Sequence, residues 1–413
     1  MEGVDLADLL AYARLNNPKL AASKASWKAF IQARKLGTAY PDPKLVTTIF
    51  PKPIETRLGP QDFNITLNQP IPFPGLLNTK GRVLTSDVVL ARLNHNLAIK
   101  EVITGISKSW YELAYLERAL DLAERDLALK GEMEEIARLA YGRDQSLFAE
   151  LARLGIQVAK IQTRINELEE RADLERIKLN GLLNRVVNAP LGPISSTGEP
   201  LALPGFDLEM VQGLAVAHGE EVRMAEERIK KAQSRLELAR LENKPRFSLG
   251  VFYAGIGEPD LPNKPKDSGE DALGVQFGVS FPLWSGKRGS RLAKAKAEKL
   301  RAQALKTEKI NQIQTRVSRI WFAMERAKRN HELQDRESLP RARQALETAQ
   351  ALFRQGRGQL DDVLRFQAAV HDFELARARA RTDFFKGRAE LEKLAGVLLT
   401  PGGGIHLKDR EIP

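Results

Sequence analysis

The chain lacks the residues on which several common chemistries depend. Its 413 residues include no cysteine, which excludes disulfides, thiolate metal sites and thiol nucleophiles. Five methionines are too few to suggest a copper relay. Five histidines are scattered, without the i,i+4 spacing of a zinc site. We therefore predict no metal, no cofactor and no catalytic site, and we do not expect an enzyme.

Long hydrophobic runs are also missing. No window approaches the roughly 18 consecutive apolar residues that a transmembrane helix needs. The opening residues, MEGVDLADLL, do not show the basic region and apolar region of a signal peptide. The protein is therefore expected either to be cytoplasmic or to have lost a signal peptide.

The chain carries an excess of positive charge. The formal net charge is +11 at pH 7, which first suggests a nucleic-acid partner. However, acidic and basic residues alternate in segments such as ELAYLERALDLAERDLALKGEMEEIAR, a pattern typical of solvated helix faces with i,i+4 pairs. No RNA-binding motif or basic-aromatic cluster accompanies the charge. Nucleic acid is therefore not an expected partner.

The first part of the chain, residues 1–185, predicts one structural repeat. A helical pattern leads into a β-hairpin at about 43–73. A proline-free helical pattern then covers 76–141, and after a short turn a second helix covers 147–184. Since Pro51 and Pro53 cannot donate backbone hydrogen bonds, the first strand is expected to end near them.

Residues 208–398 predict a second repeat with the same order of elements. A helix leads into a β-hairpin at about 245–284, followed by a long helix over 290–355, a turn, and a helix over 360–396. Pro340 is expected to kink the long helix or to split it in two. Residues 186–207 form a Pro/Gly-rich connector between the repeats, and residues 399–413 form a C-terminal tail.

The hairpins carry strands with one apolar face. In FNITLNQPIPFPG, residues 63–75, the odd positions are apolar with one exception, and the even positions are polar or proline. Residues 273–283 alternate in the same way. Runs of about 11 residues have the length of tilted membrane β-strands. Two soluble hairpins packed on helices are the alternative, but either arrangement leaves open strand edges.

Open edges are not tolerated in lipid, so membrane strands would require assembly. Three chains of four strands would close one barrel of 12 strands, with apolar residues toward lipid and small or polar residues toward the lumen. The helices favour the same conclusion. Their apolar stripes suit coiled-coil packing, and a ring of helices would cover both flanks of each helix.

The order of elements resembles the outer-membrane efflux ducts of the TolC family over about residues 5–398. The similarity rests on LNQPIPFPG and its counterpart VSFPLWSG, and on the turns LAYGRDQSLFAEL and LFRQGRGQLDDVL. The segment QPIPFPG resembles the heavy-metal (cation) efflux branch of this family. The resemblance implies a mainly α-helical fold with a β membrane part, a duplicated repeat, and a homotrimeric α-helical barrel continuous with a 12-stranded β-barrel.

The same resemblance implies the function and the partners. The protein would be the outer-membrane exit duct of a tripartite efflux pump in a Gram-negative bacterium, extending into the periplasm. It would passively conduct substrates delivered by an inner-membrane pump and a periplasmic adaptor, and it would contact outer-membrane lipid. The alternative is a soluble periplasmic coiled-coil scaffold or an adaptor, although no lipoyl-like module is evident in the sequence.

The resemblance also assigns candidate site residues. The two turns would be periplasmic tips that dock the adaptor: Tyr141, Gly142, Arg143, Gln355, Gly356, Arg357 and Gly358. Asp361 and Asp362 would form an acidic ring at the pore gate, and Arg365 stands where some members have a second aspartate. Acids favoured by the helix dipole are the alternative for the two aspartates. Arg143 and Arg357 would tether the closed tip, contact the adaptor, or lie on solvated surface.

Overall fold

The computed structural model describes residues 5–141, 148–194, 199–260, 262–263, 265–355 and 357–399. The chain forms two compact units that are each discontinuous in sequence. The strand-containing unit consists of Lys24–Leu93 and Met224–Glu308. The helical unit consists of Met1–Ser23, Asn94–Arg223 and Lys309–Pro413.

The described residues form nine α-helices and four β-strands. In chain order the elements are α1 (Leu6–Asn16), α2 (Pro18–Thr38), β1 (Lys44–Thr56), β2 (Gly59–Ile71), α3 (Leu76–Tyr141), α4 (Phe148–Leu183), α5 (Leu208–His218), α6 (Glu220–Leu241), β3 (Arg246–Ile256), β4 (Ala272–Ser280), α7 (Ser285–Leu333), α8 (Leu339–Arg354) and α9 (Leu360–Ala395). None of the described helices is both long enough and apolar enough to cross a membrane.

The helix that precedes each hairpin is divided in two, which the sequence patterns did not indicate. Pro18 disfavours a helical conformation at Asn17, and the Asn17 side chain then accepts hydrogen bonds from the backbone N–H groups of Lys19 and Leu20. In the second half the break falls at Gly219, whose backbone is extended. A Cβ there would lie 2.3 Å from the Ala215 carbonyl oxygen, so only glycine fits.

A π-helix over Gln334–Ser338 separates α7 from α8, as expected from Pro340. The Leu339 N–H donates to the Gln334 carbonyl oxygen, five residues earlier. Pro340 has no N–H to donate to the preceding turn, and the wider turn accommodates that loss. The proline therefore divides the predicted long helix just before its own position.

The four strands form one antiparallel sheet in the order β1-β2-β3-β4. β1 extends to Thr56, so the expectation that Pro51 and Pro53 end it near Phe50 was wrong. The pairing shifts from Ile49 opposite Phe63 to Ile54 opposite Gln61, and both prolines lie in this irregular segment. Since β1 is an edge strand, a bulge absorbs the two missing donors without ending the strand.

The helical unit has a continuous apolar core. Trp110 and Ile106 of α3 pack with Phe384 and Phe385 of α9, and all four are almost fully buried. Tyr111 stacks on Phe385 with ring centroids 5.1 Å apart. This core fixes α3 against α9.

Candidate functional site

One face of the sheet is apolar across all four strands. Backbone pairing places residues of the same type side by side, and the apolar rows are Leu45–Leu67–Val251–Val275, Thr47–Ile65–Tyr253–Leu273 and Ile71–Phe247–Val279. Leu273 and Val275 are each 75% exposed, although a soluble sheet would bury such residues against a second layer. The face that the alternation predicted is therefore present and uncovered in the described chain.

The opposite face of the sheet carries small and polar side chains. Its rows are Lys44–Asn68–Gly250–Gln276, Thr48–Asn64–Ala254–Ala272 and Pro70–Ser248–Gly278. Successive side chains of a strand point to opposite faces, so the two sets of rows do not mix. The sheet therefore has one apolar face and one face of small and polar residues.

The outer edges of this sheet are open in the single chain. β1 pairs only with β2, and β4 pairs only with β3, within the part of the chain that the structure describes. Each outer edge presents unpaired backbone donors and acceptors, which lipid cannot satisfy. An apolar sheet with two open edges is therefore incomplete as a membrane structure.

The tip between α8 and α9 is a tight turn. The backbone N–H groups of Gln355, Arg357 and Gly358 all donate to the Leu352 carbonyl oxygen, at 3.2, 3.0 and 3.0 Å. A Cβ on Gly358 would lie 2.7 Å from the Phe353 nitrogen, so this position requires glycine. Of the other predicted tip residues, Tyr141 ends α3, while Gly142, Arg143 and Gly356 lie outside the described residues.

The three predicted gate residues lie in the first two turns of α9, and their charges are paired. Asp361 forms an ion pair with Arg153 of α4, and both side chains are 59% exposed. Asp362 pairs with Arg365 at 2.7 Å within α9 itself. Arg153 was not singled out from the sequence, because no single-chain pattern links α4 to α9. The structure thus brings Asp361 to a neighbouring helix and leaves Asp362 paired within its own.

A third ionic cluster lies in the helical unit and joins α3, α7 and α9. Glu390 accepts hydrogen bonds from Lys108, at 2.7 Å, and from Arg316. Burial alone would raise the pKa of Glu390, but these two cations outweigh burial and lower the pKa to about 2. The carboxylate therefore stays ionised at neutral pH and links three helices.

Glu390 should make the stability of the helical unit depend on pH. Its pKa is lower in the folded state, so its contribution is present above about pH 4.5 and is lost as pH falls toward 2. Allowing for partial exposure, we expect Glu390→Gln to lower the free energy of unfolding at pH 7 by about 1–2 kcal/mol. Urea unfolding followed by circular dichroism at pH 7 and at lower pH will measure the difference.

The control for this prediction is Glu347→Gln, which removes an exposed carboxylate from α8. It should leave the free energy of unfolding nearly unchanged at both pH values. A Glu390→Gln penalty that stays constant as the pH falls would contradict the assignment.

Comparison with solved structures shows which proteins share this fold. The outer membrane protein VceC of Vibrio cholerae has a TM-score of 0.77 at 17% identity, with 96% of this chain and 97% of that chain covered. A membrane protein of Pseudomonas aeruginosa has a TM-score of 0.80 at 15% identity, covering 95% and 93%. The open-state MtrE outer membrane channel of Neisseria gonorrhoeae has a TM-score of 0.73 at 16% identity, covering 94% and 88%.

The fold of the whole chain is therefore that of outer-membrane channel proteins. Residues 212–397 match the family model described as outer membrane efflux protein. This match lies in the second repeat, and together with the shared fold it supports the TolC-family resemblance. The alternative of a soluble scaffold or adaptor is not supported. No curated protein matches the chain by sequence.

Proposed function

We propose that three copies of the chain assemble into a closed exit duct of a tripartite efflux pump. The observation that carries the assembly is the sheet with one apolar face and two open edges. Pairing β1 of one copy with β4 of the next satisfies both edges at once. Three copies of four strands then give 12 strands, an even number within the range of outer-membrane barrels.

The absence of cysteine makes this assembly directly testable by cross-linking. Thr47→Cys in β1 is combined with one cysteine in β4, placed in turn at Leu273, Val275, Phe277 or Val279. All of these residues lie on the apolar face, where neighbouring Cβ atoms approach to about 5 Å, within disulfide range. We expect at least one combination to give a covalent trimer on a non-reducing gel of membranes.

A matched control uses two residues already paired within the chain. Leu67→Cys with Val251→Cys should form a disulfide within one copy, because these residues are register partners in β2 and β3. If this control is oxidised while every β1–β4 combination stays monomeric, the trimer with joined edges is rejected.

For the tips, we propose that the turn after α8 docks a periplasmic adaptor. Leu352 and Phe353 are 42% and 41% exposed at the end of α8. Leu352 lines a groove of about 410 Å³ between α8 and α9, together with Phe366 and Ala349. An exposed apolar pair next to a groove suits an amphipathic helical hairpin. Gln355, Arg357 and Gly358 shape this turn, whereas Tyr141 belongs to the other tip.

Docking is tested by a photoreactive residue at Phe353 in cells that contain the native pump components. We expect an adduct with an adaptor protein, identified by mass spectrometry. The same residue at Leu174 of α4, which is 64% exposed, should give no such adduct. Equal labelling from both positions would argue against docking at this tip.

The proposed duct conducts passively and performs no catalysis of its own. Energy would come from the inner-membrane pump, and adaptor contacts would shift the tips toward an open state. Asp361, Asp362 and Arg365 are the proposed gate residues. The heavy-metal branch remains a prediction from QPIPFPG. A metal pump encoded beside this gene would support it, and a drug pump would contradict it.

A further inference from the structure

The net charge of the protein is confined to one of its two units. The strand-containing unit has 27 basic and 15 acidic residues, a net charge of +12. The helical unit has 37 basic and 38 acidic residues, a net charge of −1. The basic character of the chain is therefore a property of the unit that carries the sheet.

Within that unit, exposed cations gather where the sheet meets the helices. β1 and β3 begin at this end of the sheet, and β2 and β4 finish there. Five residues at these crossings form what we call the basic collar: Lys44, Lys244, Arg246, Lys287 and Arg288. All five are exposed, and among the described residues none has a carboxylate within 4 Å. The collar therefore carries positive charge that the chain itself does not neutralise.

Few acidic residues lie close to the collar in sequence. Asp42 precedes β1 by two residues, and Glu242 pairs with Arg291 at 3.5 Å. The opposite end of the sheet has the reverse balance. Residues 52–62, around the β1–β2 turn, and residues 257–271, the β3–β4 loop, together contain more acids than bases, and the acids are Glu55, Asp62, Glu258, Asp260, Asp267, Glu270 and Asp271. The sheet is thus polarised along its strands, positive at the helical end.

Large apolar side chains stand directly beside the collar. Phe281 is 65% exposed, and Leu283 and Trp284 are each 78% exposed, immediately after β4. Phe281 and Leu283 continue the odd-numbered apolar face of that strand. Lys287 and Arg288 follow within one helical turn. Aromatic residues at the end of a membrane strand, followed by Lys and Arg, are typical of the lipid–water interface.

We propose that three cations of the basic collar, Lys244, Lys287 and Arg288, bind the phosphate groups of anionic phospholipids in the membrane leaflet at the helical end of the sheet. Lys44 and Arg246 lie in register on the polar face and are not part of this contact. The proposal rests on the proposed membrane sheet and adds a lipid preference to it. Phospholipid is favoured over a soluble anion because the cations adjoin exposed apolar side chains, which a small hydrated anion would leave in water. A phospholipid can contact both groups, because its acyl chains can cover Phe281 and Leu283 while its phosphate binds the cations.

The test compares two vesicle compositions with the full chain. Detergent-purified protein is mixed with phosphatidylcholine vesicles, or with vesicles in which about a third of the lipid is phosphatidylglycerol, and is recovered by flotation. We expect wild-type partitioning to favour the anionic vesicles. The variant Lys244→Gln/Lys287→Gln/Arg288→Gln should reduce that preference by about fivefold per charge, or about a hundredfold in total. Added salt should weaken the wild-type preference.

The matched control removes the same charge from the other end of the sheet, with Lys52→Gln/Arg57→Gln/Lys266→Gln. This control variant should keep the wild-type preference for anionic vesicles. The proposal is overturned if the collar variant keeps that preference, or if the control variant loses as much of the preference as the collar variant does. It is also overturned if the collar variant changes only the anion selectivity of channels in a planar bilayer. Failure of the wild type to enter either vesicle would instead reject the membrane sheet.

Discussion

Replacing Glu220 with Ala is expected to lower the free energy of unfolding of the helical unit by about 3–5 kcal/mol. Glu220, the first residue of α6, forms an ion pair with Lys100 of α3. Their side chains are only 3% and 7% exposed. Truncating one partner leaves the other charge buried without compensation, and that desolvation penalty is much larger than the attraction lost at a surface pair.

Two further variants separate this explanation from a general effect of mutation. Lys100→Met combined with Glu220→Leu removes both charges while keeping similar volume, and it should recover most of the lost stability. Glu101→Ala breaks the neighbouring ion pair between Glu101 and Lys19, in which the two side chains are 41% and 58% exposed, respectively. It should cost no more than about 1 kcal/mol.

Urea unfolding followed by circular dichroism gives all three values under the same conditions. The buried-pair explanation fails if Glu220→Ala costs no more than Glu101→Ala. It also fails if the double variant is as unstable as the single one, because the penalty would then come from lost packing and not from an uncompensated charge.

The strands were predictable because their signal is local. Residues 63–73 and 273–283 alternate with a period of two, and the backbone pairing places residues 63–71 and 273–280 in the expected rows. The extension of β1 was missed because proline was taken to end the strand. A bulge at an edge strand tolerates proline, but the existence of that edge depends on which strands pair, and a single strand does not reveal this.

The charge polarity was missed for a different reason. Each unit is assembled from separate segments of the chain, so its charge is not visible in any one window. Segments such as ELAYLERALDLAERDLALKGEMEEIAR belong to the helical unit, where acids and bases balance. By contrast, α2 has no acidic residue, and the first turns of α7 are strongly basic. Most of α2 and all of these turns of α7 belong to the strand-containing unit. Only the fold sorts these segments into one neutral unit and one basic unit.

The ion pair of Asp361 was likewise not predictable from the sequence alone. Asp361 was predictable as a candidate because it follows a glycine-containing turn that resembles a family motif. Its partner Arg153 lies 208 residues earlier, on a helix with three other arginines. Pairing across that separation depends on how α4 and α9 pack, which a single sequence does not contain. The structure therefore adds a specific contact between two helices to a candidate that the sequence supplied.

Replacing Arg153 with Ala is expected to raise the ratio of open to closed channels by about ten- to a hundredfold. Each Arg153–Asp361 pair is exposed, and in the proposed closed tip it would contribute only about 0.5–1 kcal/mol. In the proposed trimer, three such pairs would break together in one opening step. Their contributions add to about 1.5–3 kcal/mol, which is a large bias for a two-state gate.

Single-channel recording in a planar bilayer tests this prediction, and Arg164→Ala is the matched control. Arg164 pairs with Glu167 inside α4, so its removal breaks no contact between helices and should leave the opening frequency nearly unchanged. The exchange Arg153→Asp/Asp361→Arg should restore the closed state, since it rebuilds the pair with reversed charges. If the exchange stays open, or if Arg164→Ala opens the channel equally, this pair does not hold the tip closed.

The same recordings separate the two proposed roles of Asp361. In the first role, which we call a latch, Asp361 holds the tip closed by pairing with Arg153. In the second role, Asp361 is part of an acidic ring that acts on the permeating ions. Arg153→Ala leaves three Asp361 carboxylates unpaired in the trimer, so block by divalent cations should become stronger while opening becomes more frequent. Asp361→Ala should increase opening and weaken block. If both variants open the channel and neither alters block, Asp361 is a latch and the acidic ring is rejected.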